Sequence, residues 1–291
     1  LERAEITQPG YAVEYDFVDP REVGPDLQCR KVPGLFLAGQ ILGTTGYEEA
    51  GALGLLAGAN AALRAAGRGA FTLDRAGSYL GVMVDDLTTR GVTEPYRMFT
   101  SRAEFRLSLR EDNALDRLAP LAADVGLLDQ PRIDAYQQRR QRLEAADAVL
   151  DRERLRLADL PDPDVCALPP EGLTLREALR RSDVNIENVI AWRPLPELTA
   201  LTSRERTALF VGVRYAGYIA REDKEIERFR RMDGISIPAD FRFADLPGLS
   251  TEVCERLSRA RPTTLGVASR LEGITPAAVT ALLLHLRSAP V

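Results

Sequence analysis

The sequence predicts a partial α/β domain followed by a mostly helical region in two parts. An apolar run, a glycine-rich turn and a helical pattern follow one another between Gly34 and Ala62, which is the order of a βα unit. From about residue 114 onward, helical patterns dominate. Two proline-rich stretches, residues 160–170 and 238–247, interrupt these patterns and indicate a loop and a linker.

The βα unit is the most informative segment. Its apolar run, Leu35–Ala38, predicts a buried strand of the parallel type, and helical spacing begins at Tyr47 and lasts to about Ala66. The turn between them, Gly43–Gly46, consists of small residues that let the backbone approach a ligand next to a helix N-terminus. It is neither a GxGxxG fingerprint nor a P-loop. From these residues alone, a tightly packed connection without a ligand explains the pattern equally well.

After this unit, the spacing of apolar residues predicts a series of helices. They cover residues 76–87, 114–125, 131–152, 174–181, 184–190, 203–231, 250–258, 263–271 and 275–287. Pro131 suits the first turn of its helix, and Gly212 and Gly217 predict a break within the helix at 203–231. Each of the last three helices has Ser or Thr at its expected N-cap.

Length and composition limit the class of protein. The 291 residues suffice for two or three domains, and 45% hydrophobic with 28% charged residues is ordinary for a globular protein. Because no apolar run approaches the roughly 20 residues of a membrane span and no signal-peptide pattern opens the chain, we expect a cytoplasmic protein. The chain starts at Leu1 without Met, so we expect the C-terminal part of a longer protein.

Cysteine and histidine usage predicts no metal site. Cys29, Cys166 and Cys254 show no CxxC spacing, which indicates reduced thiols in a cytosolic protein. The single histidine, His285, lies in an apolar helical pattern and argues against a Ser-His-Asp triad, a multi-histidine site or a zinc site. We expect it to be a surface or half-buried helical residue.

The charge balance argues against general nucleic-acid binding. The net charge is −5, although the basic residues are nearly all arginine and only Lys31 and Lys224 are lysine. Arginine suits phosphate recognition through its planar fork of donors. A GC-rich genome would favour arginine as well, so any RNA contact must come from local patches.

The glycine-rich segment, AGQ-x-x-GTTGYEEA, closely resembles the last flavin-contacting segment of the GidA/MnmG family. Four further blocks resemble this family in the same order: Pro9–Glu22, Glu94–Ala114, Tyr215–Arg228 and Arg261–Val279. The resemblance implies FAD, NADH, a homodimer and the GTPase MnmE as partner. It also implies that a carboxymethylaminomethyl or aminomethyl group is placed on carbon 5 of the wobble uridine of tRNA. Methylenetetrahydrofolate would supply the one-carbon unit, and glycine or ammonium the amine.

The resemblance also implies a division into domains. Residues 1–74 would be the remnant of a two-dinucleotide-binding, Rossmann-like FAD domain, 75–204 a mainly helical middle domain, and 205–291 a helical subdomain that docks partner or tRNA. The GxGxxG for the FAD pyrophosphate and the cysteine-bearing segment associated with catalysis are absent from this sequence. We therefore assign no catalytic residue and expect this chain alone to be inactive.

The resemblance assigns flavin contacts to the turn. The Gln40 amide would bind ribityl hydroxyls, and the helix N-terminus would face the isoalloxazine C2 carbonyl. The remaining assigned residues permit close approach or begin the helix: Gly39, Gly43, Thr44, Thr45 and Gly46. The family usually has Asn where this chain has Leu42, so any hydrogen bond from that amide is lost. Glu48 and Glu49 are expected to complement the helix dipole, and Tyr11, Glu14 and Asp16 are weaker candidates on the substrate side.

A cluster of arginines is the best candidate for contact with tRNA phosphates. Its members are Arg97, Arg102, Arg106 and Arg110. The segment 102–110 fits either one helical face or, in its second half, a strand with Phe105 inward; we favour the strand. Interleaved acidic residues leave an internal salt-bridge lattice as an alternative.

An aromatic and basic stripe is predicted near the start of the last domain. Tyr215, Tyr218 and Arg221 fall at helical spacing and would stack a base or dock a partner. Within the family, the helical C-terminal region is implicated in binding MnmE and tRNA. Alternatively, the two tyrosines anchor this helix to its neighbour.

Two rival functions stay open at this point. The folate- and FAD-dependent tRNA uridine methyltransferases (the TrmFO family) share the AGQ turn. However, they have GVEGY-type residues in place of Gly43–Tyr47 and lack a long helical region after about residue 115. The second rival is a non-catalytic module that docks RNA or a partner.

Overall fold

The chain divides into two compact units. The first comprises Leu1–Leu73 with Leu80–Phe99, and the second comprises Asp74–Tyr79 with Thr100–Val291. The predicted domain limits at residues 74 and 204 stay a prediction. The computed structural model describes residues 3–5, 7, 10, 15–162, 168–244 and 246–288.

Helices dominate the described residues, which confirms the predicted mostly helical region. The first unit holds helix α1, Tyr47–Ala65, and most of helix α2, Tyr79–Asp85, which continues into a π-helical turn, Asp86–Arg90. The second unit contains α3 Ala114–Asp124, α4 Gln130–Arg152, α5 Leu175–Arg180, α6 Ile186–Trp192, α7 Pro196–Thr199, α8 Ser203–Arg214, α9 Ala216–Asp233, α10 Thr251–Ala260, α11 Leu265–Arg270 and α12 Pro276–Ser288.

Local signals explain why the long helices begin where they do. The Asp129 side chain accepts a hydrogen bond from the Arg132 N–H, and Pro131 lies in the first turn of α4, as predicted. The predicted break near Gly212 and Gly217 is also present, because α8 and α9 meet at Tyr215. These helices follow from residues within a few positions of their ends.

The predicted strand at Leu35–Ala38 is wrong for this chain. Phe36 makes only an isolated antiparallel bridge to Gln28, and Leu35 is 43% exposed. The segment is bound only on one side, in the antiparallel sense: the Cys29 N–H donates to the Leu35 carbonyl at 2.8 Å, and the Leu37 N–H donates to the Leu27 carbonyl at 3.1 Å. This pairing is too short to form a regular ladder. The alternation of Tyr11, Val13 and Tyr15 predicts a further strand, and residues 11–14 of that segment lie outside the described residues.

Regular sheet in the described ranges is limited to one short hairpin-like pair. Strand β1, Arg154–Leu155, pairs antiparallel with β2, Leu173–Thr174, with Leu155 opposite Leu173. Gly172, at φ +74°, precedes β2, and a Cβ there would lie 2.5 Å from the Leu155 carbonyl oxygen. This position therefore requires glycine.

The segment 102–110 forms neither the helix nor the favoured strand. The Phe105 carbonyl accepts hydrogen bonds from the N–H groups of Ser108 (3.2 Å) and Leu109 (2.9 Å), so the chain turns here. Phe105 and Leu109 are buried, whereas Leu107, which the strand would have turned inward, is 37% exposed. The prediction failed because the backbone N–H groups of this segment bind a distant carboxylate instead of a neighbouring strand.

Each unit has its own hydrophobic core. In the first, α1 contributes Leu53 and Leu56, which pack with Leu42 and Leu87 at full or nearly full burial. The second has a large cluster around α4, α5 and α8 and a separate one around α10, α11 and α12. None of the helices in the described part of the chain is long and apolar enough to cross a membrane.

Candidate functional site

The glycine-rich turn joins a short 3₁₀ segment, Gly39–Leu42, to helix α1. Gly43 adopts a left-handed conformation at φ +82°, and Gly46 is the N-cap of α1 without a side-chain cap. A Cβ at Gly43 would lie 2.7 Å from Val92 Cγ2, so only glycine fits this turn. The turn is therefore fixed by its neighbours as well as by its own sequence.

A second segment of the first unit lies beside this turn. The Tyr96 N–H donates to the Gly43 carbonyl at 2.8 Å, and Thr44 forms a parallel bridge with Tyr96. The buried Tyr96 hydroxyl donates to Asp86 at 2.9 Å. From the sequence, Arg97 groups with the later arginines, but the segment around Tyr96 and Arg97 lies beside the glycine-rich turn.

The side chain of Glu49 is buried at the N-terminus of α1. It is 6% exposed, and its Oε1 accepts the Met98 N–H at 2.9 Å with the Arg97 guanidinium 3.6 Å away. The hydrogen bond from Met98 lowers the pKa of Glu49 below its ordinary value, although burial opposes this shift. A Cβ on Gly46 would overlap the Glu49 carboxylate, so a larger residue at the N-cap would have to displace this carboxylate. The Glu49 carboxylate thus lies at the helix N-terminus, where it was expected to complement the dipole.

The predicted flavin-contacting residues differ in their exposure to solvent and in their hydrogen bonding. Gln40 and Thr45 are exposed, whereas Gly39 and Gly46 are buried. Thr44 is 1% exposed, and its Oγ1 has no hydrogen-bond partner within the described ranges. An unpaired buried hydroxyl is costly, so it marks a place where a polar group from outside the described chain would be stabilised.

Leu42, at the position where the family resemblance implies an asparagine, lies in the hydrophobic core. Its side chain is fully buried and packs in the cluster that includes Leu53 and Leu56. The residue therefore stabilises the turn through packing. Of the weaker candidates, Asp16 is exposed, and Tyr11 and Glu14 lie outside the described residues.

The four candidate arginines fall into both units. Arg97 belongs to the first unit, and Arg102, Arg106 and Arg110 belong to the second. Arg110 pairs with Asp112 at 2.9 Å and donates a hydrogen bond to the Leu107 carbonyl. For Arg110, the structure therefore agrees with the alternative interpretation, an internal salt bridge. Arg106 is exposed and makes no ion pair within the part of the chain that the structure describes.

The aromatic and basic stripe lies at the start of α9. Tyr215 and Tyr218 are 44% and 60% exposed, and the Arg221 guanidinium lies 5.8 Å from the centre of the Tyr218 ring. Both tyrosines therefore present much of their rings to solvent instead of anchoring the helix. Sequence reasoning missed Glu222, whose position four residues after Tyr218 places it beside the same stripe.

The second unit also has a cavity of about 800 Å³ between α3, α4 and α8. Its lining includes Tyr136, Leu143 and Leu209, together with charged side chains. Those charges are paired within the protein, as in the 2.7 Å ion pair between Arg140 and Glu144. The cavity therefore offers little unpaired polarity to a ligand.

Histidine and cysteine chemistry offers no second site in the described ranges. No group of three or more potential metal ligands occurs there. His285 is half-buried, as expected, and its Nε2 lies 2.8 Å from the Pro247 carbonyl oxygen. Cys29 and Cys254 are free thiols, and Cys166 lies outside the described residues.

Comparison with known families gives three matches along the chain. Residues 1–69 match the family "Glucose inhibited division protein A". Residues 130–223 match "tRNA modifying enzyme MnmG/GidA C-terminal helical domain", and residues 225–290 match the "C-terminal helical bundle" of the same enzyme. All three matches name one family.

Curated relatives and solved structures agree with these matches. The protein named tRNA uridine 5-carboxymethylaminomethyl modification enzyme MnmG from Syntrophotalea carbinolica is 46% identical over 289 residues. That from Desulfotalea psychrophila is 42% identical over 307 residues. Both alignments cover 99% of this chain and 46% of the relative, so the chain spans about half the length of these relatives. The form II crystal structure of Aquifex aeolicus GidA has a TM-score of 0.77 and 38% identity, over 93% of this chain and 43% of that one.

Proposed function

The chain belongs to the GidA/MnmG family, and we propose that the protein containing it is a FAD-dependent enzyme that modifies carbon 5 of the wobble uridine in tRNA. The names of the curated relatives support the tRNA uridine substrate. The observation that supports the proposal most strongly is the turn from Gly39 to Gly46. Gly39 and Gly43 have positive φ angles there, and the buried Thr44 hydroxyl has no hydrogen-bond partner among the described residues. Such a turn fits a polar ligand held against its backbone.

The residues of the turn fit FAD. Gln40 is exposed and would hydrogen-bond ribityl hydroxyls through its amide, and the Thr44 hydroxyl would gain a partner. Gly39, Gly43, Thr45 and Gly46 complete the proposed contact set. FAD, when bound, would supply the redox chemistry of the reaction. This chain would bind and orient it.

The Glu49 carboxylate determines whether the N-terminus of α1 can bind a negatively charged group. Because its carboxylate already lies at the N-terminus of α1, a second negative charge placed there would be repelled unless Glu49 moves or takes up a proton. Its hydrogen bond to Met98 joins the start of α1 to the segment around Tyr96. We propose that this link keeps the turn in the shape that receives the cofactor.

The remaining features of the proposed reaction come from the family resemblance. We propose NADH as reductant, methylenetetrahydrofolate as one-carbon donor, and glycine or ammonium as the amine that gives a carboxymethylaminomethyl or aminomethyl group. The proposed partners are the GTPase MnmE, tRNA and a second copy of the protein, all in the cytoplasm. No catalytic residue is assigned to this chain.

We propose that tRNA contacts the chain through its arginines and exposed aromatic residues. Arg97, Arg102, Arg106 and Arg110 are the candidates for phosphates, and Arg106 is the most available because it is exposed and without an ion pair in the described ranges. Tyr215, Tyr218 and Arg221 form the proposed docking stripe for tRNA or MnmE.

The test is the chemical identity of the product. Unmodified tRNA is incubated with the full-length protein carrying this chain, MnmE, GTP, FAD, NADH, methylenetetrahydrofolate and glycine, and its nucleosides are analysed by mass spectrometry. We expect a carboxymethylaminomethyl group on the wobble uridine, and an aminomethyl group when ammonium replaces glycine. Formation of 5-methyluridine without MnmE would instead support the rival methyltransferase function.

A further inference from the structure

The turn at residues 105–108 is attached to helix α9 by hydrogen bonds and by an aromatic contact. The Glu222 carboxylate accepts three hydrogen bonds, from the Leu107 N–H at 3.3 Å and from the Ser108 N–H and hydroxyl at 2.6 Å each. Beside it, the rings of Phe105 and Phe229 meet edge to face with centroids 5.5 Å apart. Both sides of the turn are therefore attached to the same helix.

This attachment brings together two segments that are more than 100 residues apart in sequence. Arg106 lies between Phe105 and Leu107, which both contact α9, and its own side chain is exposed. On the helix, Arg221 directly precedes Glu222, and Tyr218 lies one turn before it. Arg106 is thus adjacent in sequence to a residue that binds Glu222, and Tyr218 and Arg221 lie within one helical turn of Glu222 on α9.

The exposed face of α9 here is locally basic although the chain is acidic. Arg221, Lys224 and Arg228 share a face with Tyr218, and none of the three makes an ion pair within the described residues. Glu225 lies on that face as well, so cations outnumber acids. The negative charge of Glu222 is itself neutralised in part by its three hydrogen-bond donors.

We propose that Glu222 is a positioning residue that joins Arg106 to the α9 stripe and so creates a single RNA-binding surface. Arg106 and Arg221 would contact phosphates, and Tyr218 would stack on an unpaired base of the tRNA. Unpaired positive charge around an exposed aromatic ring favours RNA over a protein partner. This surface would take part in the proposed function, and its role depends on tRNA being the substrate of the protein.

The test measures tRNA affinity across a range of salt concentrations in the full-length protein carrying this chain. We expect Arg106→Ala and Arg221→Ala each to reduce the slope of log K against log salt by about 0.7–0.9, as for one lost phosphate contact. Tyr218→Leu should weaken binding about tenfold with little change in slope. Arg204→Ala removes an exposed arginine on α8 and serves as the matched control, with an unchanged slope.

Variants at Glu222 test its positioning role. Glu222→Ala should match Arg106→Ala in affinity and slope, and adding Arg106→Ala to it should have little further effect. Glu222→Gln keeps an accepting oxygen and should bind tRNA at least as tightly as the wild type. Ser108→Ala removes one of the three hydrogen bonds and should give a smaller effect in the same direction if Glu222→Ala fails to fold.

The outcomes separate this surface from the function on which it rests. If wild-type protein binds and modifies tRNA but the Arg106, Tyr218, Arg221 and Glu222 variants behave like Arg204→Ala, the surface is wrong and the function stands. If these variants lose MnmE binding but keep the tRNA slope, the face docks protein instead. If the wild type binds no tRNA, both the function and the surface are wrong.

Discussion

Two buried side chains, Glu205 in the second unit and Asn60 in the first, are satisfied in different ways. In the second unit, Glu205 on α8 pairs with the side chain of Arg142 on α4 at 2.6 Å. In the first, side chains bind irregular backbone: Asn60 contacts the Phe71 carbonyl and N–H and the Asp26 carbonyl, and Glu49 binds the Met98 N–H. Regular helices satisfy their own backbone, whereas irregular segments need side chains to do so.

This difference shows where a ligand is expected. Arg193 and Arg206 in the second unit each leave one buried nitrogen unpaired but bind carboxylates through others. Thr44 in the first unit has a single polar side-chain atom, and that atom has no partner within the described ranges. The first unit therefore carries an unsatisfied hydroxyl in its glycine-rich turn.

Removal of the three hydrogen bonds of the Asn60 side chain should have the largest effect on stability. Asn60→Leu leaves two carbonyls and one N–H without their partner, so we expect the first unit to lose about 2–4 kcal/mol of stability. Hydrogen exchange should accelerate for amides near Phe71 and leave those of α4 unchanged. As a control, Asn188→Leu in the second unit removes only an N-cap contact and should cost about 0.5–1 kcal/mol. Equal acceleration in both units would contradict the comparison.

Removing one charge from the second unit should have an intermediate effect. Glu205→Gln weakens the bond from Arg142, and because the Arg142 side chain is 40% exposed we expect a loss of about 1–2 kcal/mol at pH 7. Denaturant unfolding followed by circular dichroism measures it. The isosteric change should leave the hydrogen exchange of the first unit unaltered.

The effect of Glu205→Gln should depend on pH. Burial raises the pKa of Glu205, but hydrogen bonds from Arg142 and Thr202 outweigh it and leave the pKa below its ordinary value of 4.5. The stabilisation by ionised Glu205 is therefore complete above pH 4.5 and is lost as the pH falls through the lowered pKa. The stability difference between wild type and variant should shrink over that interval. A constant difference would contradict this assignment.

Exposed ion pairs should have the smallest effect in either unit. Lys31→Ala removes a pair with Glu22 in the first unit, and Arg132→Ala removes a pair with Asp129 in the second. All four side chains are at least 40% exposed, so we expect changes below about 0.5 kcal/mol in thermal unfolding. A larger change in one unit would mean that surface charge, and not buried polar groups, distinguishes the two.

The helices were predictable because their signals are local. Asp129 and Pro131 define the start of α4, and Ser250 caps α10, in each case within a few residues of the helix. The family resemblance likewise identified the glycine-rich turn from contiguous residues, and the matches to GidA and MnmG confirm the family.

The errors occurred where distant residues determine the backbone. The segment 105–108 turns because Glu222, 114 positions after Ser108, binds its N–H groups, and no local pattern encodes that contact. The strand at Leu35–Ala38 was predicted from an apolar run, but this segment pairs only with the short antiparallel segment at residues 27–29. Burial of Thr44 without a partner could not be predicted, since it depends on the packing of Tyr96 against the turn.

The most direct test of the account is the affinity of the full-length protein for FAD after Thr44→Val, measured by flavin fluorescence together with the melting temperature of the apoprotein. The change removes an unpaired buried hydroxyl, so the apoprotein should be as stable as the wild type or more stable. The same hydroxyl is proposed to bind the cofactor, so the Kd for FAD should rise about five- to tenfold, whereas Thr45→Val at the exposed neighbour should alter it less. An unchanged Kd in Thr44→Val would contradict the assignment of this turn as the FAD site.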